Sequence, residues 1–192
     1  MGRPKQFDPQ AAVGEAMEVF WRKGYAATTP QDLVDALGIG KGSLYHAFGS
    51  KRQLFLLALR RYGDAQVAAL TERLRGSGPV KDKLRTALRD LAQFDLTDPY
   101  LRGCMAVNTS AELTGAGEEA AAVIRGVFDR IEGALLAAVE EGLRTGEIDS
   151  RRDPQEIASG LLATIIGMHV LARTADGPER LTRIVAAAIA AL

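Results

Sequence analysis

Apolar residues recur every three or four positions along most of this chain, which is the period of an α-helix. The clearest face lies near the N-terminus and is formed by Val13, Ala16, Met17, Phe20 and Trp21. No stretch alternates convincingly with the period of two that a half-buried strand requires. The pattern therefore predicts an all-α protein with about nine helices and no sheet.

Capping residues, glycines and prolines set the predicted helix boundaries, because they favour helix starts, helix ends and turns. The predicted helices cover about residues 9–23, 30–37, 41–48, 51–74, 79–95, 100–114, 118–144, 154–174 and 179–192. In the second of these, Thr29 precedes Pro30 and stands three residues before Asp32. That spacing predicts an N-cap with a capping box.

The third predicted helix, residues 41–48, is too short to be stable by itself. Leu44 and Phe48 lie four positions apart and are expected to anchor it to a core. Its other face would then present polar side chains, namely Lys41, Ser43, Tyr45 and His46. Such a face is typical of a helix that reads the major groove of DNA. Paired short helices also occur as plain packing units, so the pattern alone leaves both interpretations open.

The segment GIGKGSLYHAFGSKRQLF, residues 38–55, closely resembles the recognition-helix region of the TetR/AcrR family of bacterial transcriptional regulators. The matching features are the Gly-Ile-Gly turn, the Lys-Gly-Ser and Leu-Tyr sequences after it, Phe48, and the Ser-Lys start of the next helix with its Leu-Phe pair. The resemblance implies a helix-turn-helix DNA-binding domain in residues 1–50. It also implies a linking helix in 51–75 and, in 51–192, a body for ligand binding and dimerisation.

Charge is distributed unevenly, although the whole chain is formally neutral. Residues 1–62 carry nine lysines and arginines against five acidic residues, and the rest of the chain balances this excess. A basic N-terminal unit fits contact with phosphates, and Lys51 is expected to clamp one at a helix start. The predicted DNA-binding residues are Thr28, Thr29, Pro30, Lys41, Gly42, Ser43, Tyr45, His46 and Lys51. Arg3 and Lys5 would add phosphate contacts from a basic arm.

The sixth predicted helix carries an unusual mixture of side chains on one face. Leu101, Cys104, Met105, Asn108 and Glu112 share this face by their spacing. A few polar groups among apolar ones are typical of the wall of a ligand pocket. The predicted ligand-binding or sensing residues are these five together with Phe94, Phe128 and His169.

The same helix contains the pattern Gly-Cys-hydrophobic-x-x-Asn, which resembles a subgroup of TetR regulators. Some members of that subgroup sense electrophiles or oxidants through this cysteine, so the resemblance implies a regulator gated by oxidation or alkylation of Cys104. Arg102 and the helix start are expected to favour its thiolate. The competing interpretation makes Cys104 a small buried apolar residue and His169 a hydrogen-bonded core histidine.

The last two predicted helices each present an apolar face with small residues beside it. Two such helices from each of two chains would form a four-helix bundle. The alternative is that these faces complete the core of a single chain. The predicted dimer-interface residues are Ile157, Leu161, Ile165, Met168, Leu181, Ile184, Val185 and Ala188.

Other classes of protein find little support in the sequence. One cysteine and two histidines cannot form a structural Cys/His zinc cluster, and no GxxxxGK phosphate loop is present. No catalytic residue, metal site or cofactor is therefore predicted. The N-terminus has no apolar signal region, and the most apolar stretch, residues 157–172, falls short of a membrane span. A cytoplasmic protein without enzymatic activity is predicted.

The sequence as a whole predicts a homodimeric repressor that binds a palindromic operator and is released by a small-molecule inducer. A helical adaptor whose N-terminal unit docks protein instead of DNA is the alternative from another class. The two predictions differ in the salt dependence of DNA binding, which only the regulator would show.

Overall fold

The fold is described from a computed structural model that covers residues 7–148 and 151–192, without the side chains of 113–116. That part of the chain contains nine α-helices and no strand, which confirms the predicted all-α class. The helices are α1 Pro9–Ala27, α2 Pro30–Leu37, α3 Lys41–Phe48, α4 Lys51–Arg75, α5 Val80–Thr97, α6 Met105–Ala111, α7 Leu113–Thr145, α8 Pro154–Ala172 and α9 Glu179–Ala190.

Side-chain caps explain where several helices begin. The Thr29 hydroxyl accepts a hydrogen bond from the backbone N–H of Asp32, whose carboxylate accepts one from the N–H of Thr29. The predicted capping box of α2 is thus confirmed. Ser50 caps α4 by accepting from the N–H of Gln53 at 3.1 Å. The left-handed backbone of Gly38, with φ of 61°, ends α2 as the sequence predicts.

The sixth helix differs from its prediction. It begins at Met105 rather than near residue 100, because Leu101 and Gly103 both have positive φ, 47° and 60°, which an α-helix does not accept. Residues 98–104 therefore form a loop, which we call the junction loop. Gly117, with φ of 80°, introduces a kink into α7 near the predicted break.

The first three helices, which we call the head, share a core with the rest of the chain. Buried Phe20, Leu33 and Leu44 belong to the same apolar cluster as Met105 of α6 and Ile124 of α7. The division of the chain at residue 50 remains a prediction. Phe7 joins this cluster through a ring contact with Phe48 at 6.1 Å. Arg3 and Lys5 of the predicted basic arm lie outside the described residues.

A second apolar cluster fills the body between α4, α5, α7, α8 and α9. Helix α8 is long and apolar enough to cross a membrane by length and composition alone, contrary to the prediction from sequence. The core helix of a soluble protein meets the same criteria. The apolar face of α8 packs within this cluster through Ile157, Leu161 and Met168, so the apolar character of the helix is explained by the core.

Most of the predicted dimer-interface residues belong to this second cluster. The six that are at most 5% exposed within one chain are Ile157, Leu161, Ile165, Met168, Leu181 and Val185. Their prediction as a contact face is wrong, because these side chains already pack inside the protomer. Ile184 and Ala188 are half-buried against the same cluster. Helical periodicity identifies an apolar face but not the partner that covers it.

Candidate DNA-binding surface and ligand cavity

Helices α2 and α3 form the helix-turn-helix pair that the sequence predicts. Leu44 and Phe48 turn inward and are 2% and 7% exposed. On the opposite side of α3, Lys41, Ser43 and His46 are exposed, while Tyr45 is half-buried. The orientation expected of a groove-reading helix is therefore present.

The start of α3 is an open surface. A methyl group added at Gly42 would meet no atom within 4 Å, and the same holds for Gly40, the N-cap of this helix. No side chain caps α3, so its first backbone N–H groups remain available to an anion. Together with the exposed Lys41, this end of the helix suits a nucleic-acid phosphate.

Thr28 and Lys51, which were both predicted to contact DNA, have structural roles instead. Thr28 is 1% exposed, and its hydroxyl donates to the carbonyl of Gly24 at 2.6 Å. Its prediction as a DNA contact is wrong, since the side chain fixes the end of α1. Thr29 is exposed and Pro30 is half-buried at the first position of α2.

Lys51 is also committed to the protein. Its Nζ donates to the carbonyl oxygens of Tyr25 at 2.8 Å and Thr28 at 2.7 Å, and lies 4.4 Å from the centre of the Tyr25 ring. Desolvation by burial lowers the pKa of this ammonium. The prediction of a free phosphate clamp is therefore wrong: Lys51 joins the start of α4 to the end of α1.

A partly open cavity of about 240 Å³ lies in the body between α4, α5, α7 and α8. Most of its wall is apolar, and an ion pair between Arg73 and Asp90, with Nε and Oδ2 3.1 Å apart, is also part of the lining. The lining residues are Tyr62, Gln66, Ala69, Leu70, Arg73, Leu84, Ala87, Leu88, Asp90, Leu91, Phe94, Cys104, Val127, Phe128, Ile131, Leu135, Leu161, Ile165 and His169. A concave, largely apolar space with few polar groups is what a small-molecule site requires.

Half of the residues predicted to bind a ligand line this cavity: Phe94, Cys104, Phe128 and His169. The other four, Leu101, Met105, Asn108 and Glu112, do not. They were predicted on the assumption that one helical face runs through positions 101 to 112. Because α6 starts only at Met105, that face does not exist.

Each of the four has a different environment in the structure. Leu101 is exposed in the junction loop, and Met105 is buried in the core that α6 shares with the head. Asn108 donates to the carbonyl of Arg102 and accepts from Arg173. Glu112 lies against the head: a Cβ placed on Gly24 would come within 2.5 Å of its Oε1. These residues shape the boundary between the head and the body.

A group of four polar side chains, which we call the polar end, lies at and behind one part of the cavity wall. Nδ1 of His169 shares a hydrogen bond with Oδ2 of Asp95, and the two atoms lie 2.7 Å apart. The Asp95 residue is 2% exposed. The Tyr62 hydroxyl and the Cys104 thiol are close enough for each to influence the pKa of the other. Asp95 and Tyr62 were missed by the sequence analysis, because each looks like an ordinary helical residue until the fold brings it beside His169 or Cys104.

The thiol of Cys104 is held in its protonated form. Desolvation by burial raises its pKa. The interaction with Tyr62 and the backbone N–H groups of Val107 and Ala106, at the start of α6, only partly oppose this effect, so the predicted aid from the helix start is present but outweighed. The predicted aid from Arg102 is absent, because that guanidinium is bound to Asp98 and Glu18. The expectation of a thiolate favoured by its surroundings is therefore wrong.

We expect iodoacetamide to alkylate native Cys104 more slowly than the unfolded chain at the same pH, because burial limits access to the thiol and a raised pKa leaves less thiolate. Mass spectrometry of timed aliquots, with and without urea, measures the two rates. The unfolded chain serves as the control for the intrinsic reactivity of the thiol. Equal rates would show that burial does not protect it.

Trp21 connects the cavity to the head. This α1 residue stacks on Phe94 with ring centres 6.2 Å apart and meets Tyr62 edge-on at 4.9 Å. Both partners line the cavity. Its indole N–H donates to the carbonyl of Gly103 in the junction loop at 2.8 Å. A movement of the cavity wall would therefore act directly on a residue of the head.

Arg102 holds the junction loop against Trp21 and the rest of α1. Its guanidinium lies 4.0 Å from the centre of the Trp21 ring, binds Glu18 of α1 at 2.5 Å and binds Asp98 at 3.0 Å. Burial raises the pKa of Asp98, but the hydrogen bonds from Arg102 outweigh this effect and leave the pKa lowered. We call Glu18, Trp21, Asp98 and Arg102 the latch.

Comparisons with known proteins agree with this arrangement. Residues 13–58 match the family model of bacterial regulatory proteins of the tetR family, and residues 80–188 match a tetracyclin repressor-like C-terminal domain. The uncharacterized HTH-type transcriptional regulator YezE of Bacillus subtilis is 36% identical over 152 residues, 77% of this chain and 78% of that protein. The repressor ComR of Escherichia coli is 31% identical over 184 residues, 95% and 88% of the two chains.

Solved structures extend the likeness to the whole fold. A cysteine mutant of the TetR family regulator CifR, complexed with a 26-base-pair double-strand operator DNA, superimposes with a TM-score of 0.84 and 30% identity over 99% of both chains. Reduced NemR of Escherichia coli gives 0.85 at 22% identity over 93% of both chains, which is a likeness of fold. The C-terminal model alone covers more than half of the sequence. With its helix-turn-helix head, its helical body and these relatives, the protein belongs to the TetR family of DNA-binding transcriptional regulators.

Proposed function

We propose that this protein is a cytoplasmic repressor that binds a palindromic operator as a homodimer and leaves it when a small molecule occupies the cavity. The observation that carries the proposal is the position of Trp21, which belongs to the head and packs on two cavity-lining rings. ComR and NemR are named repressors, and CifR is seen on operator DNA, which supports the same role here.

The DNA contacts would come from the free face of α3. Lys41 and the open backbone at Gly42 would meet phosphates, while Ser43, Tyr45 and His46 would approach base edges. A dimer would place two copies of α3 in successive major grooves, about 34–36 Å apart. Lys51 and Thr28 support the surface from behind instead of touching DNA.

We expect Lys41→Ala to weaken binding to a duplex selected from a random pool and to reduce the log–log salt slope by about 0.9 for each phosphate that is no longer neutralised. Fluorescence anisotropy across a potassium chloride series measures both quantities. Lys81→Ala, a change of the same charge in α5 of the body, should leave the slope as it is. An unchanged slope for Lys41→Ala would remove this residue from the phosphate-binding surface, and absence of any salt-sensitive binding would favour an adaptor.

The dimer would use the faces of α8 and α9 that the protomer leaves uncovered. On α8 these residues are Ser159, Gly160, Ala163 and Val170, the last of which is 52% exposed. On α9 they are Arg183, Ala186, Ala187 and Ala190. Small side chains let two helices approach closely, which suits a four-helix interface between two copies.

Gating would work as a population shift. A ligand that binds better when the wall formed by Phe94 and Tyr62 moves apart would displace Trp21 and tilt α1 with the head. The spacing of the two heads would then no longer match the operator. Such a ligand shifts the equilibrium only by the difference between its affinities for the two states.

We expect Ala69→Phe to abolish binding of propylbenzene, used as an apolar probe, because the added ring would occupy the cavity. The fluorescence of Trp21, the only tryptophan, reports binding. Ala68→Phe adds the same ring at the adjacent exposed position, outside the lining, and should bind the probe as the wild type does. Operator release by the probe in the Ala68→Phe variant and not in Ala69→Phe would support gating. Equal release in both would place the site elsewhere.

A second candidate function gates the same repressor by oxidation or alkylation of Cys104. Its support is that Cys104 lines the cavity, so that a small apolar electrophile could reach Sγ from inside. The similarity to NemR in its reduced form and to CifR with substituted cysteines fits a route through a thiol. Operator release by such an electrophile in the wild type, but not in Cys104→Ser, would establish this route. Equal release in both would leave the reversible ligand as the signal.

A further inference from the structure

Resting on the proposed ligand gating, we infer that the cavity selects a small, uncharged aromatic ligand bearing one hydroxyl group, a phenol in the simplest case, which binds Nε2 of His169. The contacts around the polar end carry this inference. They fix which atom of His169 is available and which charges a ligand would meet, while the volume and lining of the cavity bear on the size and shape of the ligand.

The pair formed by Asp95 and His169 determines the available atom. Nδ1 of His169 is engaged by Oδ2 of Asp95 at 2.7 Å, so a proton on the ring is held at Nδ1. Among the described residues Nε2 has no hydrogen-bond partner, and it is not among the buried atoms without one. The ring therefore presents Nε2 as its free polar atom, in a side chain that lines the cavity.

A hydroxyl group is the complement of this atom. With the proton on Nδ1, a neutral imidazole accepts a hydrogen bond at Nε2, and a protonated one donates from it. A hydroxyl can donate in the first state and accept in the second. A carbonyl or ether oxygen could serve only the protonated ring, and a hydrocarbon would leave Nε2 without a partner.

The charges near the cavity disfavour an ionised ligand. The single arginine of the lining, Arg73, is already paired with Asp90. A carboxylate at His169 would therefore add a second negative charge beside the buried Asp95 and find no free cation within the described lining. A cation would fare no better, because the unpaired Oδ1 of Asp95 is sealed from solvent and cannot be reached from the cavity.

Size and shape point to an aromatic ring. A volume of about 240 Å³ lies below the usual range for drug-sized ligands, about 300–1,000 Å³. The rings of Phe94, Phe128 and Tyr62 line the cavity together with branched aliphatic side chains. Edge and face contacts with those rings would favour a flat aromatic ligand over an aliphatic one of equal size.

The test compares three ligands built on one skeleton: 4-propylphenol, propylbenzene and 4-propylbenzoate. Isothermal titration and the fluorescence of Trp21 give their affinities for the full chain. We expect the phenol to bind about tenfold more tightly than the hydrocarbon, which is the ordinary contribution of one hydrogen bond, and the benzoate to bind most weakly. Any of three results would overturn the inference: the benzoate binds most tightly, the phenol and the hydrocarbon bind equally, or none of the three binds.

Variants assign the preference to specific atoms. His169→Phe keeps a ring of similar size but removes Nε2, so the phenol should lose its advantage while propylbenzene still binds. Asp95→Asn should also reduce the ratio of the two affinities, since Asp95 acts as a positioning residue that holds the ring and its proton. Phe128→Leu changes the wall without touching the polar end, and the ratio should persist in it. A phenol preference that survives His169→Phe would refute the assignment.

Operator release is measured separately, so that the inference and the proposed gating can fail independently. A phenol that binds through His169 without releasing DNA would leave the ligand class in place and overturn gating. Release by propylbenzene or the benzoate at concentrations where the phenol does not bind would support gating and overturn the ligand class.

Discussion

Replacing Arg102 with methionine will lower the free energy of unfolding by about 3–5 kcal/mol, because it leaves a buried carboxylate without its partner. The Asp98 side chain is 3% exposed and receives hydrogen bonds from both the guanidinium and the backbone N–H of Arg102. The methionine also gives up the stacking of the guanidinium on Trp21. Urea unfolding followed by circular dichroism measures the decrease.

A double variant separates the unpaired charge from simple loss of packing. Asp98→Asn combined with Arg102→Met removes both charges, so it should regain much of the stability that Arg102→Met alone loses. Asp82→Asn combined with Arg85→Met, at an ion pair on the surface of α5, is the matched control and should cost at most about 1 kcal/mol in total. A small effect of Arg102→Met would show that the latch contributes little to the fold.

The latch also gives the protein a defined response to acid. The pKa of Asp98 is lower in the folded chain than its ordinary value. The stability due to this shift is present above the carboxyl pKa of the unfolded chain, about 3.9, and is lost as the pH falls through the folded value. Below about pH 4 the wild type should therefore lose part of its advantage over the double variant.

Ala187→Glu combined with Ala163→Glu will convert the proposed homodimer into monomers and weaken operator binding by at least about a hundredfold. Both alanines are exposed on the free faces of α9 and α8 in a single chain, so the new charges cost the protomer little. In the dimer they would be buried without partners. A monomer presents one copy of α3, and most of the gap between specific and non-specific affinity would disappear.

Sedimentation velocity at micromolar concentration and anisotropy with the selected duplex measure these two effects. Ala65→Glu, which places the same charge on an exposed position of α4, should leave both the dimer and its DNA affinity unchanged. A wild type that sediments as a monomer, or a double variant that remains dimeric, would rule out this interface. Ile165→Glu would be a poor test, because Ile165 is buried and lines the cavity.

The helix boundaries and the buried face of the head could be predicted from sequence, because they depend on local interactions. A capping box at Thr29 and Asp32, a left-handed glycine at position 38 and an inward pair at Leu44 and Phe48 all depend on residues at most four positions apart. Interactions of that range are set by backbone geometry and hardly change with tertiary context. The same reasoning failed for Lys51, whose partners lie 23 and 26 positions away.

For the body, the sequence predicted the helices but not how they pack against one another. Its apolar faces were identified correctly, but those of α8 and α9 were assigned to a partner chain when they fill the protomer's own core. Four residues were wrongly assigned to the pocket because the positive φ of Leu101 and Gly103 delays the start of α6. The φ of Leu101 has no sequence signal comparable to that of a glycine, since an unstrained leucine avoids it.

The sequence by itself determined the helical class, most helix boundaries, the exposed polar face of α3 and the basic character of the head. Each depends on periodicity, capping or charge, which act over one or two helical turns. The tertiary structure alone decided which polar groups meet: Asp95 with His169 across 74 positions, and Arg102 with Glu18 across 84. Contacts between residues so far apart in sequence depend on how whole helices pack. Helical periodicity alone does not say which face of one helix will contact which face of another.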